Sequence, residues 1–508
     1  MGSLDGLLYG LQLVLLWQNL LAAFAGALAG TAIGVLPGLG PIAGVAIVMP
    51  ITYTLSPTAG LIMMAGIFYG AMYGGSTTAI LINMPGETAS VVTCLDGYKL
   101  TKKGRAGAVL CIVAVGSFIG GTLAVVGVML FAPRLAQFGI LFGPAEFFAM
   151  TLGGLLLLTR ISGGSLASGL FPMAIGLVFS TIGQEAVTAQ NRFTFGFNDL
   201  TAGVALVALV VGLYGLAEIM CVVESIHSQV KPISVRAREM MPTRSEWRRS
   251  WAPYGRGTLV GFFFGLIPGP CGVLSSFASY RLEKAVSKHR AEIGEGAIEG
   301  VAGPETANNA AATASMVPLL ALGIPFAPIT ALMMSSMMVH GVQPGPLLVT
   351  QHPEIFWGVI ASMYIGNVML MILNVPMIGI WVSLLRIPQH IFLPAILLVA
   401  IIGSYSVNNS MLDLYVLFLL GIVGYVLRKL DFHLAPMVVG VVLGPLIEKH
   451  LREGLFMSRG DIAVFYSSPI AIGIWLVVLC VITLDILRPL LAKLFGIGTR
   501  NMDLGGDD

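Results

Sequence analysis

Long runs of apolar residues without charge alternate with short polar segments along this chain. A bilayer core needs about 20 consecutive apolar residues per helix, and several charge-free stretches reach or approach that length. They are residues 12–29, 60–83, 108–132, 161–184, 355–385, 391–412 and 462–484. Shorter or interrupted apolar runs raise the estimate to about 11 or 12 transmembrane helices. The pattern predicts an all-α polytopic membrane protein.

Composition supports this prediction. The chain has 508 residues, of which 56% are hydrophobic and only 10% charged, whereas soluble domains carry roughly 25% charged residues. The first 98 residues contain no Lys or Arg, so the amino terminus lacks the basic region of a cleavable signal peptide. We expect the first hydrophobic segment to be retained. The near-balanced net charge of +2 gives no indication of nucleic-acid binding.

Cysteine and histidine offer no metal or disulfide pattern. The five cysteines have no C-x-x-C spacing, so we interpret them as reduced packing residues. The seven histidines show no close pairing typical of zinc ligands. The sequence therefore predicts no metal site and no cofactor.

Basic loops predict the topology, because Lys and Arg near helix ends mark the cytoplasmic face. Three such loops, residues 99–105, 231–256 and 281–290, are predicted to lie inside. The last two bracket a segment of only 24 residues, 257–280, which is too short for two crossings. We predict a re-entrant hairpin that turns at Pro268-Gly269-Pro270. The alternative is that one basic loop is extracellular.

Two motifs recur along the chain and indicate an internal repeat. The pattern G-x-x-x-G-x-x-P-G occurs at residues 30–38 and again at 261–269. The segment I-N-M-P at 82–85 resembles L-G-I-P at 322–325, with an offset of 240 residues (325 − 85) against 231 (268 − 37) for the first pair.

The charge pattern around the two copies is reversed. In the first copy the linker between the motifs is uncharged and the following segment is basic, whereas in the second copy the linker is basic. Two related units of opposite orientation are typical of inverted-topology transporters. We therefore predict a first transmembrane repeat at 1–225, a basic cytoplasmic connection at 226–256, a second repeat at 257–490 and a tail at 491–508.

Gly- and Pro-rich interruptions mark candidate broken helices. In inverted-repeat transporters, broken helices expose backbone N–H groups and positive helix ends near the membrane midplane. The candidate substrate-binding residues in these breaks are Pro37, Gly38, Gly40, Ser76, Thr77, Thr78, Asn83, Pro85, Gly86, Pro268, Gly269, Gly323 and Pro325. The break around Ser76 is predicted at 74–78, where the hydroxyls suit a carboxylate or a sodium ion. Alternatively, the glycines permit close helix packing, and the hydroxyls bond only their own helix.

A stretch at 303–310 concentrates polar side chains within an apolar run. Glu305 is a candidate for coupling to a cation or accepting a proton, together with Ser76 and Asn308. Asn308 and Asn309 are candidates for binding a substrate carboxylate or sodium through their amides. The alternative is a helix cap with interhelical hydrogen bonds. Six other acidic residues are predicted to be interfacial: Glu146, Glu185, Asp199, Glu218, Asp413 and Asp485.

Several long motifs in order resemble a known family. They read G-V-L-P-G-L-G-P at 34–41, Y-G-A-M-Y-G-G-S at 69–76, D-G-Y-x-L-x-x-K-G-R-A-G at 96–107 and P-E-T-A-N-N-A-A at 304–311. The chain resembles the large membrane subunit of the tripartite tricarboxylate transporters, the TctA type. One departure is Met84, where the family pattern commonly has Thr before Pro-Gly.

The resemblance implies a three-part system in the bacterial inner membrane. Its other members are a small four-helix membrane subunit (TctB type) and a periplasmic substrate-binding protein (TctC type). Family substrates are citrate and other di- or tricarboxylates, and uptake is coupled to a sodium or proton gradient. The resemblance therefore implies a secondary symporter and not an enzyme.

Other functional classes remain as alternatives. A primary pump needs a nucleotide site, and the chain has no G-x-x-x-x-G-K run. An intramembrane protease built on Ser76 or Asp413 has no second catalytic group that the sequence can pair with either. An ion-conducting channel stays open, because re-entrant loops also build selectivity filters, and so does a carrier for a small solute that is not a carboxylate.

Overall fold

Nearly all of the described chain is helical. The computed structural model describes residues 2–36, 39–161, 166–185, 188–224, 240–385, 387 and 389–494. The first helices are α1 (Ser3–Val14), α2 (Trp17–Val35), α3 (Gly40–Thr52), α4 (Pro57–Ile82), α5 (Val91–Lys102), α6 (Ala106–Gly139), α7 (Pro144–Ile161), α8 (Leu166–Ser180), α9 (Leu206–Val210) and α10 (Ala217–Glu224). A π-helical segment, Val211–Leu216, joins α9 to α10 into one continuous span.

The second part of the chain has the same character. Its helices are α11 (Arg244–Gly265), α12 (Cys271–Val286), α13 (Glu299–Ala314), α14 (Met316–Leu322), α15 (Pro328–Val339), α16 (Leu348–Gln351), α17 (Pro353–Asn374), α18 (Ile378–Leu384), α19 (Gln389–Asn408), α20 (Met411–Lys429), α21 (Ala435–Met457) and α22 (Pro469–Leu494). The only strands among the described residues are β1 (Gly183–Gln184) and β2 (Asn191–Arg192), which pair antiparallel.

Six described helices are long and apolar enough to cross a membrane. They are Trp17–Val35, Ala106–Gly139, Leu206–Glu224, Pro353–Asn374, His390–Asn408 and Met411–Lys429. Four shorter apolar helices accompany them: Gly40–Thr52, Ala167–Ser180, Pro328–Val339 and Pro469–Leu484. The predicted all-α polytopic membrane fold is confirmed.

Two helix pairs pack in matching ways through glycine. On α2, a Cβ added at Gly30 would lie 2.4 Å from the carbonyl oxygen of Ile67 on α4. On α11, a Cβ added at Gly261 would lie 2.2 Å from the carbonyl oxygen of Ala307 on α13. The glycines are offset by 231 residues (261 − 30) and their partners by 240 (307 − 67), the two offsets found between the motifs. Glycine is required at both positions because the backbones touch.

The predicted hairpin around Pro268-Gly269-Pro270 is present. Helix α11 ends at Gly265 and α12 begins at Cys271. The guanidinium of Arg256 on α11 donates hydrogen bonds of 2.6 and 2.8 Å to Glu283 on α12. Since these residues lie on opposite sides of the turn, the two helices run back along each other, as the short segment between the basic loops required.

One predicted break is wrong. Helix α4 continues without interruption through residues 74–78, so these residues form no break. The reason is close packing: a Cβ at Gly74 would lie 2.4 Å from the carbonyl oxygen of Thr31, and the glycine serves helix contact as in the alternative interpretation. Helix α11 begins at Arg244, within the predicted basic connection, because Thr243 and Glu246 form a capping box at its start.

The described helices form two groups. Helices α1 to α6 and α11 to α18 pack mainly with one another, and α7 to α10 pack with α19 to α22. We call them the inner group and the outer group. The groups meet where α3 contacts α9, the π-helical segment and α19, and where α15 contacts α21. Each sequence half contributes to both groups, so the halves are interleaved rather than side by side.

Described residues of the basic segments 99–105 and 231–256 lie close to each other and to the loop that follows the third segment, 281–290. Lys99 lies 3.2 Å from the carboxylate of Glu295, and Arg105 pairs with Glu246 at 2.5 Å. Arg249 bonds Glu292 at 2.8 Å, and this contact lowers the pKa of the Glu292 carboxyl below its usual value. The convergence agrees with their predicted location on one side of the membrane.

The buried side chain of Asp96 stabilises this basic face through hydrogen bonds. Its carboxylate, which is fully buried, accepts backbone N–H groups of Gly294, Gly296 and Ala297 at 2.7 to 3.0 Å. The Tyr280 hydroxyl donates a further hydrogen bond of 3.0 Å. A side chain of α5 thus holds the loop between α12 and α13. We call this arrangement the Asp96 clasp.

Candidate functional site

Two helices are capped by left-handed backbone at equivalent places of the two predicted repeats. Helix α4 ends at Asn83, with φ of 56°, and α14 ends at Gly323, with φ of 70°. The two caps are 240 residues apart (323 − 83), which is the offset of the second motif pair. A left-handed cap stops a helix abruptly, so the chain is free to turn and begin a new helix. The predicted breaks at 83–86 and 323–325 are therefore present.

The starts of several helices face one large cavity. Its volume is about 680 Å³, within the range of about 300 to 1,000 Å³ typical of small-molecule sites. Gly40 at the start of α3, Cys271 at the start of α12 and Pro328 at the start of α15 line it. So does Thr88, which begins the short 3-10 turn that leads into α5.

The direction of these helices decides which ligands this side of the cavity can attract. Each presents its amino-terminal end, where backbone N–H groups lack helical partners and the helix dipole is positive. The backbones are held together directly, since Gly269 N–H donates a 3.1 Å hydrogen bond to the carbonyl oxygen of Phe326. We call this side of the cavity the helix-end wall. It suits an anion.

A buried carboxylate, Glu305 on α13, lies behind the helix-end wall. Ser76 on α4 donates a hydrogen bond of 2.6 Å to its Oε2, and the hydroxyl of Thr93 on α5 donates to its Oε1. The side chain is almost completely buried. Hydroxyl donors solvate an ionised carboxylate, but they supply no compensating charge.

A second buried carboxylate, Glu87, lines the cavity itself. Asn308 on α13 donates a hydrogen bond of 2.7 Å from Nδ2 to Glu87 Oε1, and the backbone N–H of Ala89 donates one of 3.3 Å. The other amide atom, Asn308 Oδ1, is buried without a hydrogen-bond partner among the described residues. It lies close to Gly272, where an added Cβ would be only 2.6 Å from this oxygen.

Asn309 has a different environment. Its Nδ2 donates hydrogen bonds of 2.8 Å to Ser117 on α6 and 3.0 Å to the backbone oxygen of Glu305. These contacts tie α13 to α6 and do not line the cavity. For Asn309 the structure favours the alternative of interhelical hydrogen bonding.

Residues of the outer group line another part of the cavity. Tyr214 and Glu218, in the span Leu206–Glu224, line it together with Arg428 near the end of α20. The Arg428 guanidinium donates a hydrogen bond to the Glu218 carboxylate and lies over the Tyr214 ring, 5.5 Å from its centroid. We call these three residues the arginine wall.

Comparison with known proteins identifies the family. Residues 20–439 match the model of the tripartite tricarboxylate transporter TctA family. The chain belongs to this family. It is a transporter membrane subunit, as the resemblance in its motifs implied.

Two relatives of the TctA-family chain come from Agrobacterium vitis. One is an uncharacterized 52.8 kDa protein in the TAR-I ttuC′ 3′ region, 45% identical over 493 residues, which cover 97% of this chain and 98% of that protein. The other is an uncharacterized protein in the TAR-II ttuC′ 3′ region, 52% identical over 225 residues, which cover 44% of this chain and 92% of that protein. No solved structure matches the chain.

The structure sorts the predicted site residues of this TctA-family chain. Four of them line the cavity: Gly40, Pro85, Gly86 and Gly269. Asn308 does not line the cavity but donates a hydrogen bond to Glu87, which does, while Ser76 and Glu305 lie outside the lining and bond each other. Pro37 and Gly38 lie outside the described residues.

The remaining predicted residues do not line this cavity. The Thr78 hydroxyl donates to the carbonyl of Gly75 in its own helix, at 3.0 Å, and Thr77 is buried within α4. Asn83 caps α4 and is exposed, while Pro268 and Pro325 are buried in the breaks. Gly323 lines a separate cavity of about 210 Å³ between the two helix groups.

Sequence reasoning missed three side chains of this site. Glu87 follows the N-M-P-G break directly, and an acidic residue at that place in an apolar region could have indicated it. Thr93 carries no signal by itself. Arg428 looks like an ordinary basic residue in the last turn of a helix, and its partner Glu218, predicted to be interfacial, also lines the cavity.

The described residues include no cluster of three or more His, Cys, Asp or Glu side chains that could hold a metal ion. The chemistry of the site therefore has to be understood from the buried carboxylates, the helix ends and one arginine. All of these suit binding and translocation of a charged solute.

Proposed function

We propose that this TctA-family membrane subunit imports di- and tricarboxylates of the citrate type by secondary active transport, coupled to a sodium or proton gradient. The observation that carries the proposal is the cavity of about 680 Å³ with several amino-terminal helix ends on one side. Converging positive ends attract an anion without fixing a permanent counter-charge, so the substrate can be released again.

The buried carboxylates support cation coupling. Within the described part of the chain, neither Glu87 nor Glu305 pairs with Lys or Arg. An uncompensated buried carboxylate is costly, and Glu87 would also repel an anionic substrate in the same cavity. Binding of a cation or a proton removes both penalties, so substrate and cation favour each other's binding. Asn308 Oδ1 is a neutral oxygen available to such a cation.

The proposed setting is the bacterial inner membrane, in complex with a small four-helix subunit and a periplasmic substrate-binding protein. The transporters of this family are tripartite, which supports the presence of both partners. The subunit crosses the bilayer several times, and its basic face is proposed to be cytoplasmic. The basic segment with Trp247 and Trp251 is proposed to rest on anionic headgroups.

An ion-conducting channel, or a carrier for another small solute, is the competing function. A channel conducts ions and does not need to bind two solutes together. This site combines helix ends that suit an anion with buried carboxylates that suit a cation, which favours a coupled carrier. Saturable, gradient-dependent uptake of a carboxylate therefore distinguishes the proposal from both alternatives.

The test is uptake into proteoliposomes that contain this subunit with its small membrane partner. The binding protein is added outside, and radiolabelled citrate or succinate is supplied under an inward sodium gradient, an inward proton gradient or neither. The proposal expects saturable accumulation above equilibrium with one gradient and none without it.

Three controls make the outcome decisive. Omission of the binding protein should abolish uptake, an ionophore that collapses the gradient should stop accumulation, and a neutral sugar of similar size should not compete. Uptake that only equilibrates, or that is indifferent to both gradients, would favour a channel. Accumulation of a neutral solute in place of either carboxylate would overturn the substrate class.

A further inference from the structure

The cavity has two walls of different chemistry, and the helix-end wall accounts for only one of them. Among the described residues that line the cavity, Arg428 is the one permanently cationic side chain. It lies on the outer group, whereas Gly40, Cys271 and Pro328, at the starts of α3, α12 and α15, belong to the inner group. A substrate with a single anionic group would need only the helix ends.

The guanidinium of Arg428 is positioned by two neighbours but has N–H donors to spare. Its Nη1 donates to Glu218 Oε2, and the ring of Tyr214 lies beneath it. A guanidinium carries five N–H donors in a planar fork, so donors remain for a carboxylate that approaches from the cavity. A bidentate contact of this kind is the strongest that a carboxylate makes with a side chain.

A second ion pair between the same helices shows that Arg428 is not needed merely to join them. Lys429 and Glu224, one residue and six residues further along their helices, form an ion pair of 2.5 Å. The Tyr425 hydroxyl donates a 3.0 Å hydrogen bond to the same carboxylate. This pair is about half exposed and lies away from the cavity lining.

From this arrangement we infer that Arg428 binds a second carboxylate of the substrate, while the first lies at the helix-end wall. The inference rests on the proposed function and names what the site selects: solutes with two carboxylates that can span the cavity. Glu218 holds one nitrogen of the guanidinium, and the incoming carboxylate binds the remaining donors in competition with it.

The test compares each substrate with an amide of nearly the same size that keeps a single carboxylate. Succinate and its monoamide, and citrate and its diamide, are titrated against the purified membrane complex in nanodiscs, without the binding protein. The wild type should bind the di- or tricarboxylate more tightly than its amide. In R428Q this preference should disappear, with the Kd for the parent carboxylate raised about 10- to 100-fold and the Kd for the amide nearly unchanged.

Glu218→Gln separates a ligand-binding role from a structural ion pair. If Glu218 competes with the substrate, E218Q should tighten carboxylate binding about 3- to 10-fold. If the ion pair is purely structural, E218Q and R428Q should both lower the stability of the membrane complex, and both should weaken its binding of carboxylates. The double variant R428Q/E218Q has no unpaired charge, so it keeps the test valid if R428Q alone fails to assemble.

Lys429→Gln is the matched control, since it removes a cation from the neighbouring residue and should leave all four affinities unchanged. Persistence of the carboxylate preference in R428Q, or in the double variant, would overturn the assignment. That result is distinct from failure of the proposed function, in which the wild-type complex would neither bind nor accumulate citrate or succinate.

Discussion

The hydroxyl of Ser76 donates a hydrogen bond of 2.6 Å to the carboxylate of Glu305, although the two residues are 229 positions apart in the chain. The contact connects α4 of the first half to α13 of the second. It places a polar pair within a region where every neighbour on α4 is buried. The bond therefore joins the two halves at the proposed cation-binding residue, Glu305.

Glu305→Gln should uncouple transport from the cation gradient. The amide keeps the shape of the side chain but removes its negative charge, so cation binding at this place should weaken about 10- to 100-fold. Sodium and pH titrations of citrate uptake measure the effect. S76A serves as the control, because it removes one hydrogen bond, keeps the charge and should shift the half-saturating cation concentration only a few-fold. A wild-type cation dependence in E305Q would remove Glu305 from coupling.

Glu87→Gln should act on substrate binding. Because the carboxylate lines the cavity, its neutralisation removes a repulsion between the protein and an anionic substrate. We expect E87Q to bind citrate without added cation about as tightly as the wild type does with it. Isothermal titration of the membrane complex, with and without sodium at two pH values, would measure this. An unchanged cation requirement in E87Q would contradict the role of this residue.

Gly261→Ala should destabilise the contact between α11 and α13. The new methyl group would lie 2.2 Å from the carbonyl oxygen of Ala307, and overpacking of this kind costs about 1 to 3 kcal/mol. Gly255 lies in the same helix with nothing within 4 Å of an added Cβ, so G255A should be neutral or up to about 1 kcal/mol more stable. Thermal unfolding of both variants in detergent compares them directly, and equal stabilities would argue against close backbone contact.

Asp96→Ala should release the loop between α12 and α13 from its contact with α5. It leaves three backbone N–H groups of the loop between α12 and α13 without an acceptor, at an expected cost of about 3 to 5 kcal/mol. Limited proteolysis should then cut the loop. Glu295→Ala, which removes an exposed ion pair with Lys99, should cost less than about 1 kcal/mol. Equal protease resistance in D96A and wild type would show that the Asp96 clasp is not needed to hold the loop.

The inverted orientation of the two halves stays a prediction, and labelling can test it. Single cysteines at Ser56, the cap of α4, and Ser287, the cap of α12, would be introduced into a variant without other cysteines. Opposite orientations require that a membrane-impermeant maleimide reach them from different sides of oriented vesicles. Labelling of both from one side would contradict the inverted repeat.

The fold class and the breaks could be predicted from sequence because they depend on local chemistry. Charge-free runs require a membrane, and Pro-Gly motifs stop helices wherever they occur. The run at Gly74 and Gly75 was misinterpreted for a physical reason: glycine serves both close packing and helix breaking. Its neighbours across the interface decide which, and the sequence alone does not specify them.

The site was only half predictable. Glu305 and Asn308 stood out because a carboxylate and an amide are rare within a small apolar run. Arg428 and Glu218 could not be recognised, because their significance comes from facing a cavity whose other wall lies at least 51 residues away in sequence (269 − 218). Only the packing of α20 against the span Leu206–Glu224 brings them to that cavity.

The two walls of the cavity belong to helix groups that touch each other at few places, chiefly through α3 and α15. A solute held at both walls therefore acts as a strut between two bodies that are otherwise lightly joined. The length of the solute then determines whether the two helix groups are connected. An anion too short to contact both walls leaves the groups as loosely connected as in the empty protein. Selection by size and selection by charge are, in this geometry, the same event.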